Sequence, residues 1–497
     1  GRPLFALEPD GDAPLFAPGL EEWRGALRRA DVVGAPGDDT PLILDARDRL
    51  YLGRYWRFER DLADALRVRS GVWAPGVDRA LLRAGLDRLF PPREGTDWQR
   101  VAAVMAVLLP FCVLSGGPGT GKTRTVTAIL ALLLEQAGRP LRIGMAAPTG
   151  KATARLLASS AAARQQLSLS DDIAQGLPTE AATLHRLLGF RPGRSRPRHG
   201  RDNPLHLDVL VVDEASMVDL PLMSRLLAAL RPETRLILLG DKDQLASVEA
   251  GMVLGDLCGR GRESAYSEPL CQALADLADA RLEPVLAPPI ADHIAVLRES
   301  YRFAGRPGIA AAATSVNLGQ GDAAVAVLTD PGYPDAQLDT VPVEGLRDYL
   351  RRWLVPRMRA CLAATEPAKV LECFNRFRVL CAVREGPLGV HAVNRLCESV
   401  LLEEGVIARI GHEAYAGHPL LVTSNDYRLG LYNGDVGMAL ADGSASRRVG
   451  VWFDTGEGPR RVAWPRMPSH ETAFAMTVHK SQGSEFDEVI LILPHHN

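Results

Sequence analysis

Residues 116–123 read Gly-Gly-Pro-Gly-Thr-Gly-Lys-Thr, with the apolar run Phe111–Leu114 before them and a helical pattern after. Gly116, Gly121, Lys122 and Thr123 match the spacing G-x-x-x-x-G-K-[ST]. Such glycines let backbone N–H groups wrap phosphate oxygens at a helix N-terminus, where partial positive charge already favours anions. Gly117, Pro118, Gly119 and Thr120 complete the cradle. Lys122 is expected on the β- and γ-phosphates, and the Thr123 hydroxyl on Mg2+. About 90 residues later, VLVVDEAS ends four apolar residues in Asp213 and Glu214. A strand-end aspartate can hold the metal, and the adjacent glutamate can polarise water for in-line attack on the γ-phosphate of ATP. Gln244, in LILLGDKDQLASVEAG, is placed to bond both that phosphate and its water.

These residues need strands that end together. FCVLSGG, RIGMAAPTG, DVLVVDEAS and RLILLGDKDQ are short apolar runs that close in Gly, Pro or Asp and lead into helices. That texture predicts an α/β fold with a parallel sheet, its functional loops at the carboxyl ends of the strands. A second α/β unit begins near residue 300, with VLCAV (379–383) and EVILIL (488–493) as core strands. Between them, LGLYNGDVGMAL and RVGVWFDTGEGPRRVAW read as hairpins. The expected division is a helical N-terminal domain (1–95), a first nucleotide-binding lobe (96–298), a second lobe (299–402 plus 471–497) and a small inserted β-barrel (403–470). The arginine-rich RPGRSRPRHGR (191–201) reads as a solvated loop, and the text near 262–290 reads as discontinuous.

Bulk numbers exclude several classes. At 497 residues, 46% hydrophobic and 24% charged, the chain is ordinary globular material for about three domains. Val101–Leu114, the longest apolar stretch, contains Pro110 and is too short for a membrane span. No basic-then-apolar leader is visible, and seven cysteines without a C-x-x-C pair indicate neither a disulfide framework nor a zinc site, so a cytoplasmic setting is expected. The net charge of −3 means that any nucleic acid must meet a local groove. Only five basic residues are lysines against 52 arginines, and Lys122, Lys151, Lys242 and Lys480 all fall in motifs. Where arginine is the default cation, a lysine marks a position that wants a compact point charge.

Together GGPGTGKT, AAPTGKATARL, ATLHRLLG, VVDEASMVD, GDKDQLASVEAG, ESYRF and MTVHKSQGSEFDEV resemble the superfamily 1 DNA helicases, and within them the RecD family, the alpha subunit of exodeoxyribonuclease V. The motifs run from about 98 to 494, roughly four-fifths of the chain. The resemblance implies two RecA-like P-loop domains with ATP between them and an SH3-like inserted barrel. It also implies 5′–3′ movement on DNA during repair of double-strand ends in bacteria. By position, Gln99 would contact adenine, Arg302 would act as an arginine finger, and Gln482 and Gly483 would lie near the nucleotide. Thr149, Lys151, His185, Thr477, His479, Lys480 and Ser481 match the family's DNA-facing positions. PTGKA is itself a strand-to-helix turn with N–H groups, a hydroxyl and a cation, suited to a phosphate backbone without sequence preference.

RecB- and RecC-like partners are implied, with the nuclease in a partner subunit, because no carboxylate-plus-lysine cluster stands outside the ATPase motifs. A stand-alone RecD-like helicase is the alternative; only about 95 residues precede the first motif, which favours the complexed form. One departure stands out. The family's final T-R-A-R motif is missing, because the sequence stops at VILILPHHN, and truncation is the expected reason.

Overall fold

The computed structural model describes residues 19–191, 193–194, 196–245, 247, 250–259, 265–301, 305–408, 415–426, 428–441, 449–455 and 458–494. After the helix Leu20–Arg29, the chain forms a small sheet of β1 (Val33–Gly34), β2 (Leu42–Leu44) and β3 (Leu50–Leu52), in which β1 pairs parallel and β3 antiparallel to β2. This sheet was not anticipated in a region read as helical: strands of two or three residues carry no measurable periodicity. The helices Gly53–Arg69 and Arg79–Leu89 follow, the second capped by Asp78, whose side chain accepts the Leu81 N–H. They do not stand apart from what comes next. Leu62 and Leu66 share a core with Leu222, Met223 and Leu226, while Leu82, Leu86 and Leu89 share another with Ile129, Leu130 and Leu133.

The first lobe is a six-stranded parallel sheet of β4 (Phe111–Gly116), β5 (Ile143–Ala147), β6 (Ala182–Thr183), β7 (Val209–Val212), β8 (Arg235–Gly240) and β9 (Ile294–Leu297), in the order β6-β5-β7-β8-β4-β9. Alternation divides each strand between two cores. Cys112 and Leu114, Val209 and Val211, and Ile237 and Leu239 face one; Phe111 and Val113, Leu210 and Val212, and Leu236 and Leu238 face the other. Both faces are covered by helices, so continuous apolar runs are what such strands require. The helix Trp98–Leu108, buried on all sides, is capped by Asp97, which accepts from the N–H groups of Gln99 and Arg100. Within the stretch read as discontinuous, Glu268–Ala278 is a helix packed into the first core.

The second lobe centres on β10 (Phe377–Cys381). An antiparallel sheet then intervenes: β11 (His418–Val422), β12 (Val436–Ala441), β13 (Val449–Thr455), β14 (Gly458–Ala463) and β15 (His470–Thr472), ordered β14-β13-β12-β11-β15. The chain returns through β16 (Ala475–Thr477) and β17 (Glu488–Ile492), which flank β10 on either side in parallel. Of the two expected hairpins, β13 with β14 forms, but the tight one around Asn433–Gly434 does not: β12 pairs instead with β11, and residues 423–435 connect them, with the Asn-Gly pair near the end of that loop. One cysteine expectation is corrected. Cys361 and Cys373, on the neighbouring helices Leu346–Leu362 and Pro367–Arg376, form a disulfide. Their separation of 12 residues leaves no local motif, and only helix packing brings them together. Among the described residues no helix is long and apolar enough to cross a membrane.

Candidate ATP and DNA site

The glycine-rich loop leaves β4 and enters the helix Lys122–Ala137 through Gly121, at φ +83°. A Cβ at Gly121 would lie 2.4 Å from Gln99 Nε2. That amide donates to the Thr120 carbonyl at 3.0 Å, so Gln99 braces the loop. Lys122 Nζ donates to the carbonyls of Gly116 (2.5 Å) and Gly117 (3.0 Å), which turns its charge into the cradle. Burial lowers its pKa, opposed first by Asp241 and then by Glu214 and Asp213. Thr123 sits in the first turn of the same helix.

Asp213 and Glu214 leave the carboxyl end of β7. One Asp213 oxygen accepts the Glu214 N–H at 2.9 Å, and burial raises both carboxyl pKa values, Glu214's further because Asp213 lies beside it. Glu214 has φ +50°, one of three described non-glycine residues in the left-handed region. Such strain costs about 1–3 kcal/mol and concentrates at functional positions. Among the described residues no three His, Cys, Asp or Glu gather around a metal position. The Thr123 hydroxyl and the half-buried Asp213 carboxylate at the loop are the sparse protein set that suits Mg2+, whose other ligands are phosphates and waters.

Asp241, at the end of β8, was overlooked in the sequence. It is 5% exposed and accepts from Asp243 N–H (3.1 Å) and from the Gln244 side-chain amide (3.2 Å). It therefore joins Gln244 to the field around Lys122. Only its position at a strand end could have singled it out. Arg302 lies outside the described residues. Just before it, Ser300 Oγ donates to the Pro118 carbonyl at 2.7 Å and Tyr301 N–H to that of Gly119 at 3.0 Å, so the connection between the lobes starts against the phosphate loop.

Of the residues expected to face DNA, Lys151 meets the second lobe directly, whereas His185 has its contacts within the first. Thr149 caps the helix Gly150–Gln166 by accepting the Ala152 N–H. Lys151 Nζ reaches across to Ser484 Oγ at 2.6 Å. Burial, with the Arg378 charge nearby, pulls the Lys151 pKa down to about 8. Arg155 bonds the Gly483 carbonyl and the Glu485 carboxylate, and Gln482 Nε2 donates to the Leu245 carbonyl at 3.0 Å, one residue from Gln244. Thr477 caps the short helix Val478–Ser481 by accepting the Lys480 N–H; His479 is exposed, Ser481 Oγ turns inward to the Val478 carbonyl, and Lys480 pairs with Glu471. His185 is also exposed, its ring 5.1 Å from that of Phe190. The loop between β11 and β12 adds Tyr432, packed against Gly150. Arg378, 1% exposed on β10, bonds the Ala473 carbonyl and lies between the rings of Phe374 and Phe486, beneath the segment that carries Lys480. Neither residue had a sequence signal, because each acts through a distant contact.

A family model described as an AAA domain matches residues 99–250. The chain is 41% identical over 491 residues to the RecBCD enzyme subunit RecD of Mycolicibacterium smegmatis, covering 96% of this chain and 78% of that one. It is 38% identical over 434 residues to the RecBCD enzyme subunit RecD of Haemophilus influenzae, covering 82% and 66%. Against the ATP-dependent RecD2 DNA helicase of Deinococcus radiodurans it is 30% identical over 467 residues, covering 92% of this chain and 53% of the relative. The chain thus spans 66% of one RecD relative and 78% of the other.

Proposed function

The chain belongs to the RecD family, and from that premise we propose that it is the ATP-driven 5′–3′ DNA helicase subunit of a RecBCD-type helicase-nuclease that processes double-strand ends. The observation that carries the reading is the lobe junction. Lys151 to Ser484, Arg155 to Glu485 and Gln482 to the Leu245 carbonyl tie the expected DNA-facing turn and the Gln244 segment of one lobe to the stretch of the other that carries Gln482 and Gly483, expected near the nucleotide. A motor needs that coupling, because only contacts that differ between nucleotide states can move one lobe against the other.

In this reading ATP lies in the cradle of residues 116–123. Lys122 leaves the Gly116 and Gly117 carbonyls for the β- and γ-phosphates; Thr123 and Asp213 would hold Mg2+, which would supply charge neutralisation of the phosphates there. Glu214 orients and deprotonates the attacking water, its pKa raised by burial toward the range a general base uses. Gln244, held by Asp241, senses the γ-phosphate; Arg302 is the proposed finger from the second lobe. Hydrolysis removes these contacts and the lobes part. Thr149, Lys151, His185, Thr477, His479, Lys480 and Ser481 grip the strand backbone in alternation. RecB- and RecC-like partners and a bacterial cytoplasmic setting belong to the same proposal, as does the four-part division of the chain at 1–95, 96–298, 299–402 plus 471–497, and 403–470. The stand-alone reading is second, since identity to the RecD subunit exceeds that to RecD2, 41% against 30%.

The test is unwinding of forked duplexes with 5′ or 3′ tails, together with ATP hydrolysis in the presence of poly-dT or poly-U. Stimulation by poly-dT and unwinding from 5′ tails are expected, both lost in Lys122→Gln with an unchanged melting profile. Unwinding by that variant, or no stimulation of the parent protein by either polymer, refutes the proposal.

A further inference from the structure

Lys480 is one of two cations that converge on a single carboxylate. Its Nζ lies 2.5 Å from Glu471 Oε1, and an Arg384 guanidinium nitrogen lies 3.8 Å from Oε2. Three parts of the chain meet here. Lys480 is in the short helix Val478–Ser481, Arg384 in the loop that leaves β10, and Glu471 on β15 of the inserted sheet. Pairing of Leu421 with Glu471 across β11 and β15 fixes the carboxylate's height along the sheet. Side-chain exposures of 25% for Lys480 and 22% for Glu471 make this pair less screened than a surface ion pair. A cavity of about 170 Å³, lined by His391, Asn394, Arg395, Glu398, Glu471 and Thr472, opens beside it.

Two cations thus flank one half-buried carboxylate, Lys480 in direct contact and the more exposed Arg384 at 3.8 Å, the charge pattern that a phosphate oxygen would meet in such a seat. We propose that Lys480 and Arg384 together bind a DNA backbone phosphate and that Glu471 is its resident stand-in, displaced whenever the strand occupies the seat. This deepens the DNA-binding role assigned to Lys480 above and rests on it. Arg384 becomes a second phosphate ligand on the second lobe. The exchange of one monoanion for another also has a thermodynamic signature. A phosphate that meets a bare lysine releases a condensed counterion, whereas one that replaces Glu471 releases little. The seat then adds position more than affinity, which suits a grip that has to be broken at every step.

The experiment measures binding of a fluorescent oligo-dT across a salt series for the full chain and for Glu471→Gln, Lys480→Gln and their double variant, with melting curves as the folding check. Glu471→Gln is expected to bind roughly three- to tenfold more tightly near 0.1 M salt, with a slope of log affinity against log salt steeper by about 0.7 for one freed phosphate contact. Adding Lys480→Gln should abolish the gain and restore the slope, and adding Arg384→Gln should remove part of it. Glu471→Asp, a shorter carboxylate that keeps the charge, should gain less than Glu471→Gln and serves if the latter melts early. Unchanged or weaker binding in both Glu471 variants, while Lys480→Gln still weakens binding, overturns the stand-in. No effect of Lys480→Gln in either background overturns instead the DNA-binding role of Lys480.

Discussion

Replacing Gly150 by alanine sets two effects of opposite sign against each other. Gly150 opens the helix Gly150–Gln166, where alanine is the better helix former by about 0.5–1 kcal/mol. Yet a Cβ there would lie 2.4 Å from Tyr432 Cγ, 2.5 Å from Cδ2 and 2.9 Å from Cβ. Tyr432 cannot swing aside cheaply, because its own Cβ is part of the clash and its N–H is held by the Asp435 carboxylate at 2.7 Å. Overpacking of this kind costs about 1–3 kcal/mol, and with Tyr432 held at both its Cβ and its N–H the cost lies in the upper part of that range, about 2–3 kcal/mol, so the clash outweighs the helix gain by about 1–2 kcal/mol. The penalty falls on the contact between the inserted sheet and the PTGKA turn rather than on the interior of either. It is therefore read in DNA coupling: the poly-dT concentration that half-saturates ATP hydrolysis should rise about five- to thirtyfold. Tyr432→Ala removes two of the three close atoms, so Gly150→Ala with Tyr432→Ala should recover most of the loss. A wild-type half-saturation point in Gly150→Ala, or no recovery in the double variant, would refute the reasoning.

Two further outcomes follow from the charges at the junction. Because the Lys151 pKa is held down to about 8, its ammonium is charged at pH 7 and largely neutral at pH 9; oligo-dT affinity should fall up to about tenfold across that range, and Lys151→Arg, which stays charged, should flatten the fall in an anisotropy titration. Asp241→Asn removes the leading countercharge of Lys122 while keeping the side chain's shape, so kcat/KM for ATP should drop roughly ten- to a hundredfold, about 1.5–3 kcal/mol, with the alkaline limb of the pH profile moved to lower pH, in steady-state assays.

The phosphate loop and Asp213–Glu214 were legible in the sequence because their chemistry is local: glycines, a lysine and carboxylates follow apolar runs whose length and bounds already imply strands. The hairpin of β13 and β14 was legible for the same reason, through alternating residues, whereas the Asn-Gly pair marked a turn but not the partner strand, which lies further back at His418–Val422. Asp241 was hidden because a carboxylate at a strand end is common, and only its closeness to Lys122 gives it meaning. Tyr432, Arg378 and Glu471 were hidden more deeply. Each touches a partner on another element, with sequence separations of 9 residues for Glu471 and Lys480 and 95 for Arg378 and Ala473, and the widest gap between Gly150 and Tyr432. Cys361 and Cys373 met only because two helices pack side by side.

The two cores shared between the N-terminal helices and the first lobe have a mechanical consequence. Leu66 and Leu86 lie in the same packed interiors as the strand that ends at the phosphate loop, so the helices Gly53–Arg69 and Arg79–Leu89 have no joint between them and the first lobe. A partner that grasped this surface would anchor the first lobe directly, as a stator; under the proposed function the second lobe and its inserted sheet would then be the part that moves against it.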